Sequence, residues 1–159
     1  MPLSASVLAR LQYQHQTIDE LIAGLSEEEL RRRIYPDKWS AFENIAHLAA
    51  YQPVFFERLV RMQQDTAPAF ERYVAENDPL FPGYVDRTLE QLLHDIRKDR
   101  SRILSELEGM SEATLQRTGR HPKFGLFPLA TWTEFFLLHE AHHLFTIFPL
   151  VQELRKGQG

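Results

Sequence analysis

TWTEFFLLHEAHHLFTIFPLVQEL, residues 131–154, reads as one long amphipathic helix. Trp132, Phe135, Phe136, Ile147, Leu150 and Leu154 recur at helical spacing. His139 and His143 fall in the same stripe, where apolar side chains are expected. Residues at i and i+4 stand about one turn apart on one helix face. Two imidazoles placed that way can chelate one metal ion, and a ligand from another helix would complete an open site. Thr131 and Glu134 are spaced for a capping box, and Pro149 predicts a bend near the end.

Three more long helical patterns precede this one, and no segment alternates convincingly as a strand. The first spans about 4–24, with Leu8, Leu11, Ile18, Leu21, Ile22 and Leu25 in its stripe and Gly24 ending it. A short helix over 26–33 follows, capped by Ser26 with Glu29 three residues on. The second long helix starts at the capping box Ser40-Ala41-Phe42-Glu43 and runs to about Gln64, with Pro53 expected to kink it. Ile45, Leu48, Gln52, Phe55 and Leu59 form its stripe. The third spans 88–108, opened by Thr88 and Gln91 and closed by Gly109, with Leu92, Leu93, Ile96, Ile103, Leu104 and Leu107 inward. A further turn of helix fits 111–117. The connections 65–87 and 118–130 are rich in Pro and Gly, and long connections of this kind often shape binding sites. The predicted architecture is all-α: a four-helix bundle forming one domain over residues 1–159.

Composition narrows the chemistry. Apolar residues make up 43% and charged residues 25%, an ordinary globular balance. Net charge is −4, and the only dense basic cluster, Arg31-Arg32-Arg33, follows acidic Glu27-Glu28-Glu29 with only Leu30 between, so no nucleic-acid partner is expected. The chain has no cysteine, which excludes disulfides, iron–sulfur clusters, Cys-ligated zinc and a cysteine nucleophile. The N-terminus lacks a secretory pattern, and Glu134, Glu140 and the histidines interrupt the most hydrophobic helix. A cytoplasmic protein without a membrane partner is expected. No glycine-rich phosphate loop or nucleophile elbow is present.

Of the seven histidines, His15, His94 and His121 read as surface or hydrogen-bonded residues, with His121 placed to border a pocket. His142 is offset by about 100° from His143 and points to a flank. His47, in Asn44-Ile45-Ala46-His47-Leu48, is the natural third ligand. Glu43 reads as a helix cap and Glu140 as a surface residue, and Tyr13, Trp39, Tyr51 and Trp132 read as core rather than pocket lining.

Lys38-Trp39-Ser40-Ala41-Phe42-Glu43-Asn44-Ile45-Ala46-His47-Leu48 resembles the first signature of the DinB-like superfamily, and His139-x-x-x-His143 resembles its second. The motifs lie in the family's order and separation, so the resemblance covers nearly the whole chain. It implies a four-helix bundle with His47, His139 and His143 holding a divalent ion (zinc, nickel or iron), often in a homodimer. Thiol-dependent transferases and a thiol-dependent isomerase belong to that superfamily. The sequence departs from it at Thr146, where members often carry Gln, and in the doubled His142-His143. The implied function is a metal-dependent enzyme that activates water or a low-molecular-weight thiol cosubstrate against a small molecule. A non-enzymatic metal-binding bundle is the alternative, and a metal-free pair of histidines hydrogen-bonded to a carboxylate such as Glu43 is a third reading.

Overall fold

Three reciprocal capping boxes fix where helices begin. The side chains of Ser26, Ser40 and Thr88 accept from the backbone N–H three residues on, and Glu29, Glu43 and Gln91 accept from the caps' own N–H groups. The structure, a computed structural model, describes residues 3–157. In chain order its elements are α1 (Ala5–Tyr13), α2 (Thr17–Ile22), α3 (Glu27–Arg31), α4 (Ala41–Gln64), α5 (Phe81–Val85), α6 (Leu89–Glu108), α7 (Glu112–Leu115), β1 (Thr118–His121), β2 (Gly125–Pro128) and α8 (Leu129–Lys156).

The fold is all-α in its framework, a four-helix bundle of α1–α2, α4, α6 and α8. Helix α4 packs against α6 and α8, and the α1–α2 arm packs against the same two helices. Helices one and two of the bundle therefore face each other across it rather than side by side. Helices α4 and α8 are continuous through Pro53 and Pro149. No helix among the described residues is long and apolar enough to cross a membrane.

The core has two halves. One gathers Ile18, Ile22, Ile45, Leu48, Leu92, Ile96, Ile147 and Leu150. The other gathers Leu11, Phe55, Leu59, Ile103, Leu107, Trp132 and Phe136. Where the two sets meet, each arm of the bundle contributes a polar residue: Gln14, Gln52, Arg100 and Glu140. A buried ion pair joins Arg100 to Glu140. Arg100 also donates to the Gln52 side chain and to the Leu11 carbonyl, each at 3.3 Å. Gln14 donates to Glu140 Oε1 at 3.0 Å. One polar layer thus ties all four long helices at mid-height.

The structure corrects several expectations. The first helix is not continuous: a 3₁₀ turn at Gln14–Gln16 separates α1 from α2. The 118–130 connection is not structureless but holds an antiparallel hairpin pairing Thr118 with Pro128 and His121 with Gly125. Its strands are four residues long and carry glycine, too short to alternate visibly. The loop Pro122–Phe124 ends at Gly125, whose φ of +81° suits the left-handed position of a three-residue hairpin turn. Gly119 packs so closely that an added Cβ would come 2.7 Å from the Phe70 ring and 2.8 Å from the Met62 sulfur. Helix α8 begins at Leu129, with Pro128 as its N-cap, so Thr131 lies inside the helix and makes no capping box. Glu134 instead pairs with Arg10 at 2.7 Å.

Candidate metal centre

The Ser40 box sets the register of α4 and puts Asn44 one turn and His47 two turns into the helix. Both side chains are buried. Helix α8 supplies His139 and His143 from one face. One ring nitrogen from each of His47, His139 and His143 lies within 4.8 Å of the others. The Nε2 atoms of His47 and His139 are 3.0 Å apart. Two nitrogens each about 2.1 Å from one ion stand about 3 Å apart when they subtend a right angle.

Burial sets the protonation of this cluster. Desolvation holds His47 at about 4, well below an ordinary imidazole, against a weak opposing pull from Glu76. His139 falls to about 3, first through desolvation and then through His47, His142 and Arg58. His143 falls to about 2 through desolvation and its three histidine neighbours. The rings are therefore neutral at pH 7, with lone pairs to offer. The Nδ1 atoms of His47 and His139 are buried without a hydrogen-bond partner. Only one proton fits between the two facing Nε2 atoms. The cluster is thus incompletely satisfied by protein alone, and its donor set suits a borderline divalent ion.

Asn44 fixes the third ring. Its amide nitrogen donates to the Ser40 carbonyl at 2.9 Å, which orients its oxygen to accept from His143 Nδ1 at 2.8 Å. That bond places the proton on Nδ1 and leaves Nε2 as the free donor atom.

The cluster forms part of the lining of a cavity of about 860 Å³. Trp39 lies against His47, with ring centroids 5.2 Å apart, and stacks on Phe81 at 5.4 Å. The 65–87 connection supplies Tyr73, stacked on His47 at 5.6 Å and hydrogen-bonded to Asp78 at 2.8 Å. The hairpin supplies the opposite wall through His121, whose Nδ1 accepts from the N–H groups of Lys123 and Phe124. The two walls are joined: Phe70 N–H donates to the Arg120 carbonyl, and Arg120 N–H donates to that of Pro68.

The structure brings together the three histidines singled out in the sequence. His142 is exposed at the cavity edge beside His143, and His121 borders the cavity. His94 is exposed, and His15 is buried away from the cavity. Glu43 acts as a cap paired with Arg33 and does not serve His139 or His143. Glu140 is not a surface residue: it is 1% exposed and paired with Arg100. Trp39 and Tyr51 line the cavity, Trp132 is core with its indole N–H donating to the Gly119 carbonyl, and Tyr13 is exposed. Sequence reasoning missed Asn44 as the orienting partner, although its place three residues before His47 on the same face was a usable signal. It also missed the buried Arg58, which carries no such signal.

No curated protein matches the chain. Among solved structures, it is similar to YfiT from Bacillus subtilis, a probable metal-dependent hydrolase with an unusual four-helix bundle topology. That likeness has a TM-score of 0.79 at 14% identity and covers 94% of this chain and 86% of the other. A second similar structure is TT2238, a four-helix bundle protein, with a TM-score of 0.65 at 20% identity over 89% of this chain and 95% of that one. Both likenesses bear on the fold. The sequence profile of the DinB superfamily matches residues 10–147, most of the chain, and the protein belongs to that superfamily.

Proposed function

We propose that this protein is a metal-dependent enzyme acting on a small molecule, with His47, His139 and His143 as ligands of a divalent ion such as Zn²⁺, Ni²⁺ or Fe²⁺. One observation carries the reading: three neutral imidazoles converge at a cavity, and no Asp, Glu or Cys joins the group among the described residues. Structural metal sites close their coordination shell with protein, whereas catalytic ones keep a position open. Such an ion, when bound, lowers the pKa of a water or a thiol enough to make it a nucleophile at neutral pH. The chain's own contributions are local. Desolvation keeps the rings unprotonated, Asn44 holds the His143 tautomer, and Trp39, Tyr73 and Phe81 crowd water away from His47. With no cysteine in the chain, any thiol comes from a low-molecular-weight cosubstrate. The likeness to YfiT makes hydrolysis the first reaction to assay.

The test is turnover by protein loaded separately with Zn²⁺, Ni²⁺ and Fe²⁺, on a panel of esters and amides and on thiols paired with electrophiles. Activity with at least one ion that disappears in His143→Ala is expected. Stoichiometric metal with no turnover on any panel would leave a non-enzymatic metal-binding bundle. Chelated protein that still unfolds cooperatively would argue against a purely structural ion, and the extensive apolar core supports that outcome.

A homodimer is part of the same reading. Leu138, Phe145 and Phe148 are 55%, 78% and 50% exposed and share one stripe of α8. A face of that kind favours a self-association surface. Sedimentation velocity should give a dimer for the wild type and a monomer for Phe145→Glu.

A further inference from the structure

Only three charged side chains are buried among the described residues: Arg100, Glu140 and Arg58. The first two neutralise each other. Arg58, 8% exposed, has no carboxylate partner among the described residues. Nη1 donates to the Tyr51 hydroxyl at 2.9 Å and Nη2 to the Glu71 carbonyl at 2.8 Å. A guanidinium carries five N–H donors, so three remain without a protein acceptor. The faces of Trp132 and Phe70, 5.4 and 5.5 Å away, hold the group in place but do not cancel its charge. A buried charge without a counter-charge is costly.

The position of that charge points to its use. Arg58 lies eleven residues after His47 on the same helix, and helical side chains lean toward the N-terminus. The guanidinium therefore reaches back to Tyr51, whose ring centroid is 4.4 Å from that of His139. Arg58 and the three histidines line one cavity. The other charged lining residues, Glu71, Arg72, Glu76 and Lys123, are exposed and balance in sign. The buried interior of the cavity thus holds one uncompensated positive charge.

We propose that Arg58 receives a carboxylate of the substrate, so that the cavity selects small molecules bearing a single negative charge beside the group presented to the histidine cluster. This deepens the reading of the cavity as a substrate site and rests on it. A planar carboxylate matches the guanidinium fork, and one negative charge matches one buried positive charge better than a phosphate dianion does.

The experiment titrates full-length protein as purified with acetate, propionate and phenylacetate, each beside its neutral amide, at constant chloride. Binding is followed by the ¹⁵N–¹H signal of Arg58 Nε and by calorimetry, with metal content measured on every sample. The wild type should bind the carboxylates at least about tenfold more tightly than the amides. Arg58→Gln should abolish that preference at unchanged metal content, and Arg58→Lys should keep part of it, because charge survives but the fork does not. His139→Ala should retain the preference. Equal affinity for acids and amides in the wild type overturns the proposal and needs no variant to fold. A preference that survives Arg58→Gln, or vanishes with His139→Ala, also overturns it, since the carboxylate would then be held elsewhere. Absence of metal from a wild type that still prefers carboxylates would sink the metal reading alone.

Discussion

His139 and Glu140 are consecutive residues of α8, yet they belong to opposite solutions for burying a polar group. Glu140 lies in a closed layer, where Arg100, Gln52, Gln14 and the Leu11 carbonyl satisfy one another. His139 faces His47 and His143 beside a large cavity, in a cluster that leaves the buried Nδ1 atoms of His47 and His139 without a hydrogen-bond partner. The two sites lie at the same height of the bundle, about 100° apart around one helix. The difference separates structure from function. A polar group that the protein itself satisfies fixes helix register, and a polar group left open is available to a ligand.

The closed layer should break most heavily. Arg100→Met leaves Glu140 buried without its counter-charge, and unfolding in urea should show a loss of about 3–5 kcal/mol. Adding Glu140→Leu should recover most of it, because the double replacement leaves no buried charge in that layer. Failure of that rescue would mean that the layer does more than satisfy itself.

The open site should respond in ligand affinity rather than in folding. His139→Ala should weaken metal binding about 100-fold or more, beyond the range for losing a merely supporting partner. Its metal-free stability should change far less than in Arg100→Met. Asn44→Ala should weaken metal binding about tenfold, since it frees the His143 tautomer without removing a ligand. Metal titration by calorimetry checks both.

The open site should also respond to pH. His47, His139 and His143 have folded-state values of about 4, 3 and 2, far below the unfolded value of 6.5. As pH falls below 6.5 the unfolded chain takes up protons that the folded chain refuses. Stability of the chelated protein should therefore be full above pH 6.5 and decline progressively toward pH 4. Replacing His139 with Leu should flatten that slope, as followed by urea midpoints between pH 7.5 and 4.5.

Much of this was legible in the residues, and the gaps have physical reasons. Capping boxes announce helix starts because their hydrogen bonds are local, and Ser26, Ser40 and Thr88 all cap as read. The false box at Thr131 failed because Pro128, fixed by the hairpin, already starts the helix. The histidine cluster was legible because two polar residues occupied an apolar stripe. Glu140 is the counter-example. Its offset around the helix from His139 pointed to exposure, and only a distant Arg100 on another helix makes its burial tolerable. Arg58 was missed for a related reason: an arginine in a helix ordinarily meets solvent, and no periodicity marks one that points into a cavity. The 118–130 hairpin was lost because four-residue strands carry no period of their own.

The most direct measurement is elemental analysis of purified, untagged protein, wild type beside His47→Ala. Near-stoichiometric zinc, nickel or iron in the wild type, falling to less than about a tenth of that in the variant, is the expected result. No metal in either protein, even after incubation with Zn²⁺, Ni²⁺ and Fe²⁺, would contradict a metal centre at His47, His139 and His143.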